Sequence, residues 1–304
     1  MTLCDEIREG YKISSQMKKV WSIQLSLLKK VLEVCEKYDL KIWAEGGTLL
    51  GTIRHKGYIP WDDDIDLVMF RDDYDKLNEI ASKEFKYPYF LQSSKTEKKF
   101  HRGHIQVRMS NTAAILPNDI MQNFNQGIFI DIFVLDAIPN DLRLYENNMK
   151  EVYKIKHQLH SCLYDTLLTK SPKIFIKNLI NKIKISYSFN KKNLQMENLL
   201  RQYSISDNSK VSLLSFINLP KYERDKYWYA STVYMDFENI KMPVPIGWND
   251  ILKVQFGENY MKPVQIASMH GEVIFDTDHS YLELLPKLRK MYILGRWKRF
   301  LNIK

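Results

Sequence analysis

The 304-residue sequence is poor in cysteine, glycine and proline. Its three cysteines, Cys4, Cys35 and Cys162, lie far apart and form no CxxC pair, which argues against a disulfide framework and against a cysteine-rich zinc site. With 11 Gly and 10 Pro in a chain that is 45% hydrophobic and 27% charged, the composition excludes a collagen-like, mucin-like or largely disordered protein. The length alone allows either one large domain or two modest ones.

Long apolar runs are also missing. None approaches the roughly 18 residues of a membrane-spanning helix, and Asp5, Glu6, Arg8 and Glu9 interrupt the N-terminus where an export signal needs an apolar stretch. We therefore expect a cytoplasmic protein, soluble or associated with a surface. The 45 Lys and Arg residues exceed the 36 Asp and Glu residues, for a formal charge of +9. This excess favours an anionic partner such as a nucleotide, a phosphorylated substrate, a nucleic acid or an acidic lipid.

Hydrophobic periodicity gives the order of the secondary structure. It predicts helices over residues 15–38, 72–85 and 248–256, a sheet with packed helices over 41–134, a largely helical stretch from Pro139 to about Arg201, and short strands or loops from Val211 onward. Strands and helices mixed in this way indicate an α/β or α+β protein.

Two segments are strongly basic. Residues 170–192 contain seven lysines and no acid. At helical spacing, one face carries lysines and the other carries isoleucine and leucine, namely Lys173, Lys177 and Lys184 against Ile176, Leu179, Ile180 and Ile183. The favoured interpretation is a surface helix with its apolar face on the core, and the alternative is a helix lying on an anionic membrane surface. The basic stretch 288–304 strengthens the alternative.

Four acids in five positions precede the apolar run 67–70. Residues two apart on a strand point to the same side, so Asp64 and Asp66 are expected to project together. Two such carboxylates repel each other unless a hard cation lies between them, and oxygen ligands suit Mg²⁺ or Mn²⁺. We therefore favour a metal site over a solvated acidic turn.

The residues upstream supply a phosphate-binding candidate. Gly46 and Gly47 follow a short apolar stretch and precede a predicted helix, so backbone amides and the helix dipole could approach a phosphate. Thr48 adds a hydroxyl, and Arg54 and His55 add cationic or hydrogen-bonding groups. The common phosphate motifs GxxxxGK[ST] and GxGxxG are absent.

A third acid is expected in a two-carboxylate metal site of this kind. Asp131 lies within the apolar run 127–135, which is typical of a buried strand, and an ionised acid there is costly unless it is paired or binds metal. Asp131 is therefore the predicted third carboxylate. Asp136, nearer the end of the run, is predicted to be a loop or cap residue.

These segments resemble the LicD family of phosphotransferases, whose relatives include fukutin and fukutin-related protein. The resemblance rests on GGTLLGTIRHKGYIPWDDDIDL (residues 46–67) and GIFIDIFVLDAIP (127–139), and it extends to PVPIGWNDILKVQFGENYMKP (243–263). Phe256 stands where tyrosine is usual in the family. The cysteine zinc ligands of the eukaryotic relatives have no counterpart, which points to the bacterial branch.

The resemblance implies a nucleotidyltransferase-like mixed sheet with a long N-terminal helix and a helical insertion, in a single domain 1–304. Its catalytic core would be 40–140, followed by a helical, basic segment 141–205 and a C-terminal part 206–304 that returns to the core. Asp64, Asp66 and Asp131 would bind Mg²⁺ or Mn²⁺ and act in catalysis. The implied reaction moves phosphocholine or a related alcohol phosphate from CDP-choline or another CDP-alcohol to a hydroxyl of a cell-surface glycan, lipopolysaccharide or teichoic acid precursor, releasing CMP.

Further contacts follow from this expectation. Arg108 could contact a phosphate, with a surface salt bridge as the equally open alternative. A quaternary ammonium favours aromatic faces, so Trp61, Trp228 and Tyr229 are headgroup candidates, although dense aromatic residues more often build a core. We expect the protein to work at the inner face of the cytoplasmic membrane, attracted by anionic lipid.

Two other functions fit parts of the pattern. A glycosyltransferase also uses a DxD sequence with a divalent metal, but such an enzyme normally places an extended nucleotide-binding unit before it, and here one probable strand precedes it. A non-catalytic protein that binds membrane or nucleic acid would suit the charge. The acid in a core strand argues against that reading, and we expect no nucleic-acid partner.

Overall fold

A computed structural model describes residues 2–164, 171–215, 222–265 and 272–300. Its helices are α1 (Ser15–Lys37), α2 (Gly46–His55), α3 (Arg71–Glu84), α4 (Leu142–Tyr164), α5 (Pro172–Leu200), α6 (Trp248–Phe256) and α7 (Tyr281–Phe300). Its strands are β1 (Glu6–Arg8), β2 (Tyr11–Ile13), β3 (Trp43–Ala44), β4 (Asp66–Phe70), β5 (Tyr89–Gln92), β6 (Ile105–Met109), β7 (Ala113–Ile115), β8 (Ile128–Ile138), β9 (Lys210–Ser212), β10 (Arg224–Asp225), β11 (Thr232–Phe237), β12 (Ile240–Pro245) and β13 (Ile274–Asp276). The predicted mixed α/β class is confirmed.

Strand β8 lies at the centre of a seven-stranded mixed sheet. It pairs in parallel with β4 and antiparallel with β6 and β9, while β3, β5 and β10 complete the sheet. All eleven residues of β8 are buried, as its continuous apolar run predicts for a strand covered on both faces. The remaining strands form three two-stranded pairs, β1–β2, β11–β12 and β7–β13.

Helix α1 covers the sheet and supports the main core. It begins at Ser14, whose side chain accepts a hydrogen bond from the Met17 amide, a standard way to satisfy an unpaired N–H at a helix start. Trp21 is fully buried and its ring stacks on Tyr58 with centroids 4.3 Å apart. Helix α1 therefore packs directly against the segment that begins at Tyr58 and leads to Asp62.

A second, smaller core joins α4 to the C-terminal half of α5. Its buried residues include Leu159 from α4 and Phe189, Met196 and Leu200 from α5. The prediction that the apolar face of this helix packs on the core is wrong for its first half, because Ile176, Ile180 and Ile183 are exposed. These isoleucines lie on the side of the helix opposite to Phe189 and Met196.

The predicted helices over 15–38, 72–85 and 248–256 are confirmed as α1, α3 and α6, and the helical stretch after Pro139 is confirmed as α4 and α5. The twenty-residue helix α7 was not predicted, since only its basic composition was recognised. Lys170 and residues 301–304 of the two basic segments lie outside the described residues. The division of the chain at 140 and 205 stays a prediction. Among the described helices, none has the length and apolar character needed to cross a membrane.

Candidate active site

The glycine pair lies where β3 passes into α2. Gly46 adopts φ +52°, a left-handed conformation that glycine adopts without strain. A Cβ on Gly47 would come within 2.6 Å of an Asp62 carboxylate oxygen. The missing side chain therefore lets residues 62–64, which we call the acidic turn, approach the start of the helix. The Thr48 hydroxyl accepts a hydrogen bond of 2.8 Å from the Asp66 amide. The first turn of α2 is thus joined directly to β4.

Helix α1 holds the acidic turn from behind. Trp21 Nε1 donates to the carbonyl oxygen of Asp62 at 3.1 Å, and Gln24 Nε2 donates to that of Asp63 at 2.7 Å. One carboxylate oxygen each from Asp62, Asp63 and Asp64 lies within 4.8 Å of the others. Because the backbone carbonyls are turned toward α1, the acid side chains are presented as a group.

Asp66 and Asp131 are direct partners on the parallel strands β4 and β8. Residues paired in register project from the same face of a sheet, so the strand pairing places these two acids side by side. Burial raises the pKa of Asp66 well above its usual value, and the neighbouring carboxylates of Asp64 and Asp131 raise it further. Asp66 is therefore electrostatically close to both other predicted ligands.

The predicted trio of Asp64, Asp66 and Asp131 does not form a group within 4.8 Å in the described part of the chain, where the group found is Asp62, Asp63 and Asp64. The carboxylate of Asp131 is held by a neighbouring strand, because its Oδ1 accepts a hydrogen bond of 2.7 Å from Gln106 Nε2. Asp62, Asp63 and Gln106 are the residues that the sequence prediction missed. The run of three adjacent aspartates, and the alternation of polar and apolar residues over 104–109, were the signals for them.

Gln106 belongs to a polar row that crosses four strands. Asp66, Asp131, Gln106 and Gln92 are paired in turn on β4, β8, β6 and β5. Arg108, on the same face as Gln106, donates to the side-chain oxygens of both glutamines and, at 2.7 Å, to the carbonyl of Gly127. The alternative of a surface salt bridge for Arg108 is wrong, because this side chain is 1% exposed. Its phosphate contact stays a prediction, and in this structure the guanidinium bonds to groups of the sheet.

Glu45, immediately before the glycine pair, is held by a buried arginine. Arg224 donates to both of its carboxylate oxygens at 2.6 and 2.7 Å, and also to the Tyr229 hydroxyl at 2.7 Å. Tyr229 is buried edge-to-face against Trp43 and Phe70. The ring of Tyr229 is thus part of the core, and its headgroup role stays a prediction that this burial does not support.

Arg54 and His55 lie at the other end of α2. At about 1.5 Å per residue, eight residues of helix separate Arg54 from Gly46 by about 12 Å. Arg54 donates to the Tyr260 carbonyl at 2.8 Å, and His55 Nε2 lies 3.2 Å from a Glu9 oxygen. Burial lowers the pKa of both side chains. The sequence prediction required these two residues to lie at the glycine turn, and the structure does not bring them there.

Two aromatic candidates remain near the surface. Trp61 is half-buried next to the acidic turn and meets Tyr11 edge-to-face at 6.1 Å. Trp228 is also half-buried and packs closely against Gly247, where α6 begins. A separate cavity of about 320 Å³ lies at the C-terminal half of α2, lined by Thr52, Ile53, Lys56, Tyr234, Met235, Asp236, Lys241 and Trp248.

Asp136 is not the loop or cap residue that was predicted. It lies within β8, 1% exposed, and Arg71 donates to its two oxygens at 2.7 and 2.6 Å. The strand continues to Ile138, two residues past Asp136, and the arginine compensates the acid there.

The donor set at the acidic turn suits a hard divalent cation. Every candidate ligand offers carboxylate oxygen, and a cation would offset both causes of the raised pKa of Asp66, namely burial and the neighbouring carboxylates. Mg²⁺ and Mn²⁺ therefore fit the residues present. An α/β sheet that carries such acids beside a glycine-led helix N-terminus has the arrangement expected of a nucleotidyltransferase-like transferase.

Comparison with known proteins shows what the chain is similar to. The LicD/FKTN/FKRP nucleotidyltransferase domain matches residues 39–140. Lipopolysaccharide cholinephosphotransferase LicD of Haemophilus influenzae is 28% identical over 240 residues, which cover 78% of this chain and 88% of the relative. An uncharacterised protein of Rickettsia prowazekii is 42% identical over 156 residues, 51% of this chain and 53% of that protein. The human ribitol 5-phosphate transferase FKRP is 39% identical over 54 residues, 18% of this chain and 11% of the relative. Residues 39–140 are thus similar to the LicD/FKTN/FKRP nucleotidyltransferase domain, and the resemblance noted in the sequence is confirmed.

Proposed function

We propose that this protein transfers phosphocholine, or a related alcohol phosphate, from a CDP-linked donor to a hydroxyl of a cell-surface glycan precursor, with release of CMP. The observation that carries the proposal is the register of β4 and β8, which sets Asp66 beside Asp131 next to the acidic turn and the start of α2. Similarity to a lipopolysaccharide cholinephosphotransferase over 78% of the chain favours phosphocholine and a lipopolysaccharide precursor. A teichoic acid precursor is the alternative acceptor.

The chain's own groups divide the work of this reaction. Amides of Gly46 and Gly47 at the start of α2 bind the donor phosphates, with help from the helix dipole. Asp131 accepts the proton of the acceptor hydroxyl as the new O–P bond forms and the P–O bond to CMP breaks. Gln106 orients Asp131 through its 2.7 Å hydrogen bond. Trp61, half-buried beside the acidic turn, binds the quaternary ammonium through its aromatic face in this proposal.

The metal ligands of the proposal are Asp62, Asp63 and Asp64, together with Asp66 and Asp131. When bound, Mg²⁺ or Mn²⁺ neutralises charge on the pyrophosphate and on the leaving CMP. Burial and the neighbouring acids both raise the pKa of Asp66 in the absence of a cation. We therefore propose Asp66 as a ligand whose loss stops turnover.

The test is CMP release by the purified protein in Mg²⁺, with CDP-choline, CDP-ribitol and CDP-glycerol offered in parallel. Slow hydrolysis to water serves as the signal because the acceptor is not identified. We expect release from one donor, lost in Asp66→Asn and on chelation of the metal. Asp72→Asn is the matched control, because Asp72 is an exposed acid on α3 and should leave the rate unchanged.

Binding provides the readout that decides the proposal if turnover needs the true acceptor. A donor at 100 times its Kd raises the unfolding free energy by about 2.7 kcal/mol, which a melting curve resolves. If none of the three CDP-alcohols raises the melting temperature in Mg²⁺, while a nucleotide sugar does, the protein is a glycosyltransferase and the proposal is wrong.

A further inference from the structure

Helix α5 carries an exposed apolar stripe along its outer side. Ile176, Ile180, Ile183 and Tyr187 follow one another at intervals of four, three and four residues, and Leu194 continues the line. Spacing of this kind places side chains on one face of a helix. These five side chains are between 46% and 96% exposed, although large apolar residues that share a helix face normally cover a core.

A line of lysines borders the stripe. Lys173, Lys177, Lys184 and Lys191 are exposed and also share one helix face, about a quarter turn away from the isoleucines at 100° per residue. No aspartate or glutamate occurs between Thr166 and Met196. The outer surface of α5 is therefore apolar and cationic, and we call these residues the α5 surface: the stripe of five and the four lysines beside it.

The buried side of α5 faces the other way. Phe189, Asn193, Met196 and Leu200 pack into the small core with α4. Cys162, near the end of α4, contacts the Lys182 carbonyl, so the packing with α4 reaches about the middle of α5. The helix is thus anchored along its second half while its stripe points outward. Rigid anchoring of this kind presents a surface without requiring the protein to rearrange.

We infer that the α5 surface docks on an anionic lipid bilayer, with the stripe in the interface and the lysines among the headgroups. A helix with apolar residues on one side and lysines beside them, too polar to span a bilayer, has the properties of an interfacial helix. Acidic headgroups attract juxtamembrane lysines, by about fivefold in affinity for each lysine near the surface.

Charge decides against a second copy of the chain as the occupant. The four-three-four spacing also suits a helix pair, but paired copies would bring their lysine lines together with no acid in this stretch to oppose them. An anionic bilayer offers the complementary charge to the whole line at once. This inference does not rest on the proposed transfer reaction, because it concerns a surface outside the acidic turn and its measurement needs no donor.

The test is sedimentation of the full-length protein with vesicles of phosphatidylcholine and phosphatidylglycerol at about 7:3, against pure phosphatidylcholine. Binding should require the anionic lipid and weaken as salt is added. Lys173→Gln, Lys177→Gln and Lys184→Gln together should lower the partition coefficient roughly a hundredfold. The control replaces three exposed lysines outside α5, Lys29 of α1 and the loop residues Lys41 and Lys98, by Gln. It removes the same net charge and should lower partitioning less than fivefold.

The apolar stripe is tested separately. Ile180→Ser with Ile183→Ser should reduce partitioning about tenfold or more and leave the melting temperature unchanged, since both side chains are exposed. In a Cys4→Ser background, an environment-sensitive dye on Tyr187→Cys should shift to the blue on vesicle addition. The same dye on Tyr87→Cys, at another strongly exposed tyrosine, before β5, should not shift.

Three results would overturn the inference. One is equal loss of binding in the α5 lysine variant and its charge-matched control. Another is a dye at position 187 that stays in water while the protein sediments with the vesicles. The third is a dimer in analytical ultracentrifugation that Ile180→Ser with Ile183→Ser dissociates, without any vesicle binding, which would assign the stripe to a second copy of the chain.

Discussion

Replacing Arg224 by methionine removes the charge that holds Glu45 in place before the glycine turn. Arg224 is 0% exposed and makes two hydrogen bonds to the carboxylate at 2.6 and 2.7 Å. Removing one partner of a buried ion pair leaves an uncompensated charge, which typically costs about 3–5 kcal/mol. Methionine fills a similar volume, so little of this cost comes from a cavity. At about 2–4 °C per kcal/mol for a chain of this size, the melting temperature of Arg224→Met should fall by roughly 10 °C.

The assay is urea denaturation followed by circular dichroism, with the matched variant Arg143→Met as control. Arg143 is an exposed arginine at the start of α4, and its loss should cost less than about 0.5 kcal/mol. Adding Glu45→Gln to Arg224→Met should restore about half of the lost free energy, because the buried charge is then removed as well. A cost below about 1 kcal/mol for Arg224→Met, or no recovery in the double variant, would refute the reasoning.

Three further predictions concern pH, positioning and metal. Burial lowers the pKa of His101 to about 4 from 6.5, so the unfolded chain binds more protons than the folded chain between these pH values. The unfolding free energy should therefore fall as pH drops through this window, by at most about 3 kcal/mol. His101→Phe should flatten that slope relative to wild type, whereas His157→Phe, at an exposed histidine, should not. Gln106→Met should lower kcat for CMP release about tenfold and leave the donor KM unchanged, because Asp131 loses the 2.7 Å hydrogen bond that orients it. An equal change in KM would instead indicate a general loss of structure. Mg²⁺ at 100 times its Kd should raise the unfolding free energy of the wild type by about 2.7 kcal/mol. The double variant Asp62→Asn with Asp64→Asn should show no such increase. An undiminished increase in that variant would place the cation elsewhere.

Local periodicity predicted the elements that build the site. The helix over 248–256 and the buried strand around Asp131 were both predicted from the spacing of apolar residues, and the structure has them as α6 and β8. Such inferences succeed because the period of two or 3.6 residues lies within a short window of sequence. The pairing of Asp64 with Asp66 as metal ligands stays a prediction, and β4 begins at Asp66, so Asp64 lies just before the strand rather than on it.

Long-range partners could not be read in this way. Glu45 and Arg224 are 179 residues apart, and no local pattern shows that they meet. Arg108 illustrates the same limit, since a cation in an apolar strand looks available for a ligand until the facing Gln92 and Gly127 are known. The orientation of helix α5 was predicted wrongly for a related reason. Its amphipathic pattern was recognised, but the pattern does not say which face of the helix packs on the protein.

The buried acids of the sheet receive two different kinds of partner, and the difference bears on function. Glu45 and Asp136 each accept a pair of hydrogen bonds from an arginine, and a cation so close stabilises the charged carboxylate and restricts its chemistry to structure. Asp131 Oδ1 instead accepts from the amide of Gln106, and His104 Nε2 lies 3.4 Å from the same oxygen. An amide orients a carboxylate without bringing the permanent charge that a guanidinium carries. Arg108, on β6, donates to Gln106. Strand β6 thus holds Asp131, the acid that the proposed reaction uses, through Gln106, and the guanidinium of Arg108 fixes that amide in turn.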